Sequence, residues 1–453
     1  MILPGSRLIR TRNLPGLVIL ILALIPLLIL IINVVKYHVD VPFWDQWNFV
    51  PLLGKSYEGG VTWQDLWGQH NEHRLFFPRL IMLGLAHASR YNIVWELAVI
   101  IILAAAIFSL LWYQFHEATR ALGYPGFPWV VPIFSLLVFT LGQAENWLWG
   151  WQVQIFLNVM AVVAGLVLLG NRAFRWAKFW WALGFGILAT YSFANGLLFW
   201  PLGFLAITLV PPNNRRHKVL ALSAWAASTA VVAFSYLYQF RFQSPSGKPW
   251  THFLHQPGEY VQYVFKYLGR PVINYEGCAL AVGSAGLLLF GAFSSFIFRH
   301  KRGEARAVLP FFLFGLYSIG CGLLTGIGRV GFGSAQAMSG RYVPFSSLIW
   351  VSNFAFLFVL SREIRARMRT RPGRILSLAG IGVLSFILLF GIVRTSYRVG
   401  HRVFKSYHSQ MLPARYELLR GEDEQLLLHL YIDADYIRRG VEVLRKHGLS
   451  VFR

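Results

Sequence analysis

The acids, bases and cations able to do chemistry in this sequence gather in a few short stretches between apolar runs. Asp45 stands in Phe-Trp-Asp-Gln-Trp, flanked by Trp44 and Trp47. A carboxylate held by aromatics at headgroup depth can accept a proton from a hydroxyl, and its basicity follows its burial. Asn71, Glu72, His73 and Arg74 follow in one run. That run either carries function or caps the helix that begins near Leu75, because acids favour a helix N-terminus. Arg329 and Arg341 bracket a glycine-rich stretch, GRVGFGSAQAMSGRY. Arginine binds phosphate through a planar fork, and glycines let backbone amides approach an anion. The other reading of Arg341 is a cation snorkelling to the membrane interface. Lys266 and Arg270 are further cations suited to a lipid phosphate. Glu145 and Asn146 lie in QAENWLWGWQ, where Glu145 either holds an acceptor or pairs with a loop arginine. His252, His255 and Glu259 have a spacing that reaches a metal, but no third histidine or cysteine cluster supports one. No metal site is therefore assigned, and no soluble cofactor is expected. No P-loop, dinucleotide fingerprint or serine-hydrolase elbow occurs in a suitable context.

The elements that must position these groups are membrane helices. Of the 453 residues, 56% are hydrophobic and only 13% charged, about half the charge of a soluble domain. Apolar runs recur at 14–35, 92–115, 129–141, 153–170, 179–193, 197–210, 219–240, 279–298, 307–327, 342–360 and 375–393. The expected fold is therefore all-α and polytopic, with about 11 transmembrane helices. The first run is too long for a signal-peptide core and no cleavage site follows it, so it reads as an uncleaved span. The net charge of +23 belongs to cytoplasmic loops and does not imply nucleic acid.

Basic clusters fall on alternate sides of the expected spans. Arg7, Arg10 and Arg12 precede the first. Arg120 follows the second, Arg172, Arg175 and Lys178 the fourth, and Arg215, Arg216 and Lys218 the sixth. Arg299, Lys301, Arg302 and Arg306 follow the eighth, and the arginines from Arg362 to Arg374 the tenth. The positive-inside rule then makes the N-terminus cytoplasmic and the C-terminus extracytoplasmic. The expected location is a bacterial inner membrane. The acids, amides and histidines gather on the outer, periplasmic side, in 36–91, 143–152, 194–196, 241–277, 328–341 and the stretch after Arg394. The segment 75–90 is apolar but short. Were it to span, every later cluster would invert, so it is expected to be an embedded, non-spanning helix. Residues 1–393 are read as the transmembrane unit and 394–453 as a small extracytoplasmic helical tail. Cys278 and Cys321 both lie in apolar runs and form no disulfide framework.

An acid after the first span, then an amphipathic region, then an embedded helix before the second span resembles the GT-C superfamily of membrane glycosyltransferases. Protein O-mannosyltransferases and lipid A aminoarabinose transferases share that plan. FWDQW stands where their acidic motif stands, with Gln46 in place of a second acid. His73 to Pro78 stands where a His-Pro-Pro-Leu-like motif occurs, without the double proline. The resemblance implies transfer of a sugar from a polyprenyl-phosphate donor to a glycan, lipid or protein acceptor of the cell envelope. Asp45 and Glu72 would be its catalytic acids. Arg341, Arg329, Arg74 and Lys266 would bind donor phosphate, and His73, Asn71, Glu145 and Trp44 would contact acceptor or sugar. The alternatives are a lipid or glycan transporter, a polymerase or ligase of lipid-linked glycans, and a scaffold.

Overall fold

The computed structural model describes residues 14–124, 129–170, 173–210, 212, 214–241, 253–300, 302–367 and 370–453. The chain is 83% helical, and its one strand pairing among the described residues joins Gln69–His70 to His73–Arg74. The fold class is thus nearly all-α, as the apolar periodicity requires. Among the described residues, eight helices are long and apolar enough to cross a membrane. Gly150–Gly170 and Gly340–Ala366 are almost wholly enclosed by protein and form the centre of the bundle. Gly16–Tyr37, Arg215–Leu237 and Arg371–Arg420 lie at the periphery and expose leucine, valine and phenylalanine. Those side chains suit lipid rather than water.

The helices Val131–Val138, Trp176–Thr190 and Phe199–Leu209 stand where three of the eleven spans are expected; the first and third are shorter than drawn from sequence, and the second is as long but begins three residues earlier. At 1.5 Å per residue they measure roughly 12, 22 and 16 Å, against a hydrocarbon core of about 30 Å. Glycine and proline break the neighbouring apolar runs, so hydropathy continues where helix does not. Their ends nonetheless meet matching ends of long neighbours. Trp176 meets His217 edge-on, and the Tyr191 hydroxyl bonds Ser235.

The segment expected to lie in the membrane without crossing it is the helix Phe76–Ser89. Both its ends stand at the same end of the first helix, Leu14–Tyr37. At one end, His70 approaches Asp45. At the other, the Ile93 N–H donates to Asp40 Oδ1 at 2.9 Å. Pro78, Met82 and Ala86 turn inward. Arg90 closes the helix in the left-handed region, φ 53°.

The helical tail packs against the rest of the chain. The last long helix runs on through Arg394–Gly400 into His401–Arg420. The chain then folds back so that Ala434–Lys446 packs on the helix Gln46–Tyr57. Gly440 is needed at this contact, because a Cβ there would stand 2.9 Å from the Trp47 ring. Lys446 pairs with Glu58 and the Tyr431 hydroxyl reaches Asn48. Trp44 takes φ 47°, rare for a bulky residue, while its N–H donates to the Leu430 carbonyl at 2.8 Å. The tail thereby fixes the backbone immediately before Asp45.

Candidate functional site

Four loops and two helix ends converge on one cavity of about 350 Å³. The first contribution is the hairpin whose strands are Gln69–His70 and His73–Arg74. Its two-residue turn needs a left-handed residue, and Asn71 supplies it at φ 50°. His70 and His73 face one another across the strands. Arg74 anchors the hairpin from behind. It is 4% exposed, and its guanidinium donates to the carbonyls of Tyr236, Trp67 and Tyr238. The Tyr236 hydroxyl returns a bond to the Glu72 carbonyl at 2.7 Å.

The second contribution is the turn Trp149 to Gln152 with Gln154 beyond it. Gly150 permits a close approach here, since a Cβ would fall 1.9 Å from Glu96 Oε2 and 2.8 Å from Gln46 Nε2. Phe193, Asn195 and Leu197 form a third wall. Leu324, Ile327 and Arg329 close the site from the helix Arg302–Arg329, and Arg341 and Tyr342 from the start of the next helix.

Asp45, Asn71, Glu72, His73, Arg329 and Arg341, all singled out from sequence, border this one cavity. Asp45 Oδ2 lies 3.8 Å from His70 Nε2. Arg329 Nη2 donates to Glu72 Oε2 at 2.8 Å, so this acid and this cation already hold one another. Arg341 is the more open cation. Its Nε donates to Ser339 Oγ at 3.0 Å and lies 4.0 Å from Glu145 Oε2. The His73 imidazole stacks on Phe193 at 3.9 Å, and its Nδ1 accepts the Ala194 N–H at 3.2 Å. Burial, with His70 and Arg329 adding to it, holds His73 well below its ordinary value. It is neutral near pH 7, with its proton on Nε2.

Four expected site residues lie elsewhere. Arg74 is committed to backbone carbonyls. Lys266 is buried against Glu276 and Ser334. Trp44 turns toward Phe43 and the tail's Tyr431. Glu145 sits beside Arg341 without lining the cavity, linked to it through Ser339. Arg270 spans the Met338 and Gly142 carbonyls and so braces the loop before Arg341. Of the residues with metal-like spacing, His252 is outside the described residues. Glu259 accepts the Ser334 N–H at 3.1 Å. Among the described residues, no three His, Cys, Asp or Glu side chains stand together.

Sequence reasoning passed over His70, Gln154 and Tyr236 as site residues, and it took Trp149 chiefly as part of an aromatic belt. His70 carries a signal in hindsight: it precedes Asn71 by one position on a two-residue turn, which puts it opposite His73. It also lines a second cavity of about 200 Å³, with Asn48, Lys55, Asp65, Arg79 and Trp151. His70 and Trp151 are therefore the wall between two spaces.

The main cavity has two kinds of surface. Charged groups come from Asp45, Glu72, Arg329 and Arg341, and apolar surface from Leu197, Leu237, Phe240, Leu324 and Ile327, of which Leu237 and Leu324 are exposed. An amphipathic molecule with an anionic or hydroxylated head fits such a division. No protein family, curated protein or solved structure matches this chain.

Proposed function

We propose that this chain is a membrane glycosyltransferase of GT-C type. It moves a sugar from a polyprenyl-phosphate donor to a cell-envelope acceptor. The site faces the periplasm of a bacterial inner membrane, with eleven chain passages, a cytoplasmic N-terminus and an extracytoplasmic C-terminus. One observation carries the reading: Asp45, Arg329 and Arg341, distant in sequence, border the same cavity, and that cavity has an apolar flank. The flank takes the first prenyl units of the donor. Arg341, with Arg329 behind it, takes the phosphate through charge-assisted bonds.

Asp45 receives the proton of the acceptor hydroxyl. The acceptor oxygen bonds to the anomeric carbon, the bond from that carbon to the phosphate oxygen breaks, and its electron pair leaves on the lipid phosphate. Neutral His73 offers its Nε2 proton within the cavity and adds no charge. Arg74 and Lys266 act on the fold, the first by holding the hairpin, the second by holding the Ser334 loop.

The test is sugar transfer by the purified full chain from a labelled polyprenyl-phosphate hexose to a cell-envelope fraction. Transfer that depends on Asp45 is the expected result. Movement of the intact lipid across proteoliposomes with no sugar released would replace this reading with a transporter.

A further inference from the structure

Gln46, the residue after Asp45, closes a turn from both sides. Its N–H donates to the Phe43 carbonyl at 3.1 Å, and its side-chain Oε1 accepts the Phe43 N–H at 3.2 Å. Asp45 and the left-handed Trp44 are the residues inside that turn. The Gln46 amide keeps this pose when its nitrogen has an acceptor of its own. Glu96 supplies one: Gln46 Nε2 donates to Glu96 Oε2 at 2.6 Å. Gln46 is fully buried and Glu96 is 1% exposed, so bulk water competes for neither. Glu96 stands on fixed ground, in the first turn of the helix Ile93–Ala121. The start of that helix is held by Asp40 at the Ile93 N–H and by the Asn92 side chain at the Val94 N–H. Glu96 is also a costly residue there. Its Oε1 is buried without a partner, and an acid in a membrane helix is rarely kept for packing alone.

We infer that Glu96 is a positioning residue: acting through Gln46, it sets the turn that presents Asp45 to the cavity. Asp45 lines the main cavity, whereas Gln46 and Glu96 do not, so these two act on a substrate through what they hold. With the Glu96 acceptor gone, the Gln46 amide nitrogen is left buried and unpaired. The amide then swings toward another partner, the Phe43 N–H loses its own, and the turn around Asp45 relaxes. The inference rests on the transferase reading, and it adds to that reading an acid on the second span that supports the first-loop acid from behind.

The experiment measures kcat and KM for sugar transfer by the purified full chain in nanodiscs, with a short-chain polyprenyl-phosphate hexose as donor. Glu96→Leu should lower kcat by about 10- to 100-fold, the cost of a slight misplacement of a reacting group. KM for the donor should not change, because Arg329 and Arg341 come from other elements. Glu96→Gln keeps an acceptor oxygen for the Gln46 amide and should retain most of the wild-type kcat. Glu96→Leu made on Asp45→Asn should cost nothing further, since residues that act as a unit are not additive. A residue that merely packs, or that acts through the neighbouring Gly150 turn, would lower kcat equally in both backgrounds. Gln46→Leu breaks the same bond from the other side and takes the place of Glu96→Leu in this cycle should that variant not fold. Normal kcat in the variant, a loss carried by KM, or an undiminished loss on Asp45→Asn would overturn the inference while transfer by the wild type stands. No transfer by the wild type would overturn the transferase reading and the inference with it.

Discussion

The Glu72 carboxylate accepts a 2.8 Å hydrogen bond from the Arg329 guanidinium, tying the hairpin turn to the end of the helix Arg302–Arg329. Each side chain is less than one-third exposed, so solvent screens the pair only in part. Glu72→Gln and Arg329→Gln should therefore be coupled, by about 1–2 kcal/mol in a double-mutant cycle on thermal stability. Strict additivity would mean that the pair does not brace the site.

Asp45→Asn should lower turnover by about 10²–10⁴-fold, the usual contribution of a general base. Affinity for the donor lipid should survive, because Asp45 does not contact the cations. Near-normal turnover removes Asp45 from the chemistry. Lost donor binding would show that Asp45 organises the cavity instead. His70→Ala is the companion variant and should lower turnover less than Asp45→Asn.

Asp65 lies in the same loop but has a structural task. Lys55 donates to its Oδ1 at 2.6 Å, and the Thr62 N–H and hydroxyl donate to Oδ2. These bonds lower its carboxyl from the ordinary 3.8 to about 2. A lowered value in the folded state stabilises above the ordinary value, and that contribution is lost as pH falls through about 2. Hydrogen-exchange protection at residues 62–67, taken relative to the intrinsic rate at each pH, should fall between pH 4 and 2 in the wild type. Asp65→Asn should show the low protection at every pH and keep its turnover at neutral pH.

Arg341→Gln should weaken binding of polyprenyl-phosphate sugar by about 10- to 100-fold, the worth of a charge-assisted bond. Lys266→Met should leave that affinity alone, since Lys266 is spent on Glu276 and Ser334. Equilibrium binding in nanodiscs separates the two. A large loss for Lys266→Met would return that lysine to the donor site.

The orientation is open to a labelling experiment in a chain lacking Cys278 and Cys321. Asn71→Cys and Ala88→Cys stand at opposite ends of the embedded segment, and both positions are exposed. An impermeant thiol reagent added outside intact inner membranes should modify both. Modification of only one would put a membrane crossing between them, and modification of neither would invert the topology.

Much of the cavity's polar lining was legible because membrane chains sort their charges. Acids and amides gather in loops apart from the basic clusters, and several of them border one cavity. Asp45, Asn71, Glu72, His73, Arg329 and Arg341 were found that way. What residue type does not reveal is a partner far along the chain. Arg74 looks like a phosphate ligand until the carbonyls of Tyr236 and Tyr238 claim it. Lys266 likewise meets Glu276 and Ser334. Trp149 and Gln154 look like an interfacial belt and a packed helix, and only the cavity separates them from that background. In the fold, hydropathy located the helix Trp176–Thr190 to within three residues but overstated the length of Phe199–Leu209, because apolar residues continue through non-helical turns.

The docking of the tail on the first loop has a consequence for assembly. A ribosome delivers Leu430 long after Trp44 and Asp45, yet the left-handed backbone at Trp44 is held by the Leu430 carbonyl. Nearly all the membrane passages must therefore be threaded before the acid reaches its final pose. A nascent chain that lacks Leu430 carries the residues of the cavity without the contact that sets the backbone before Asp45.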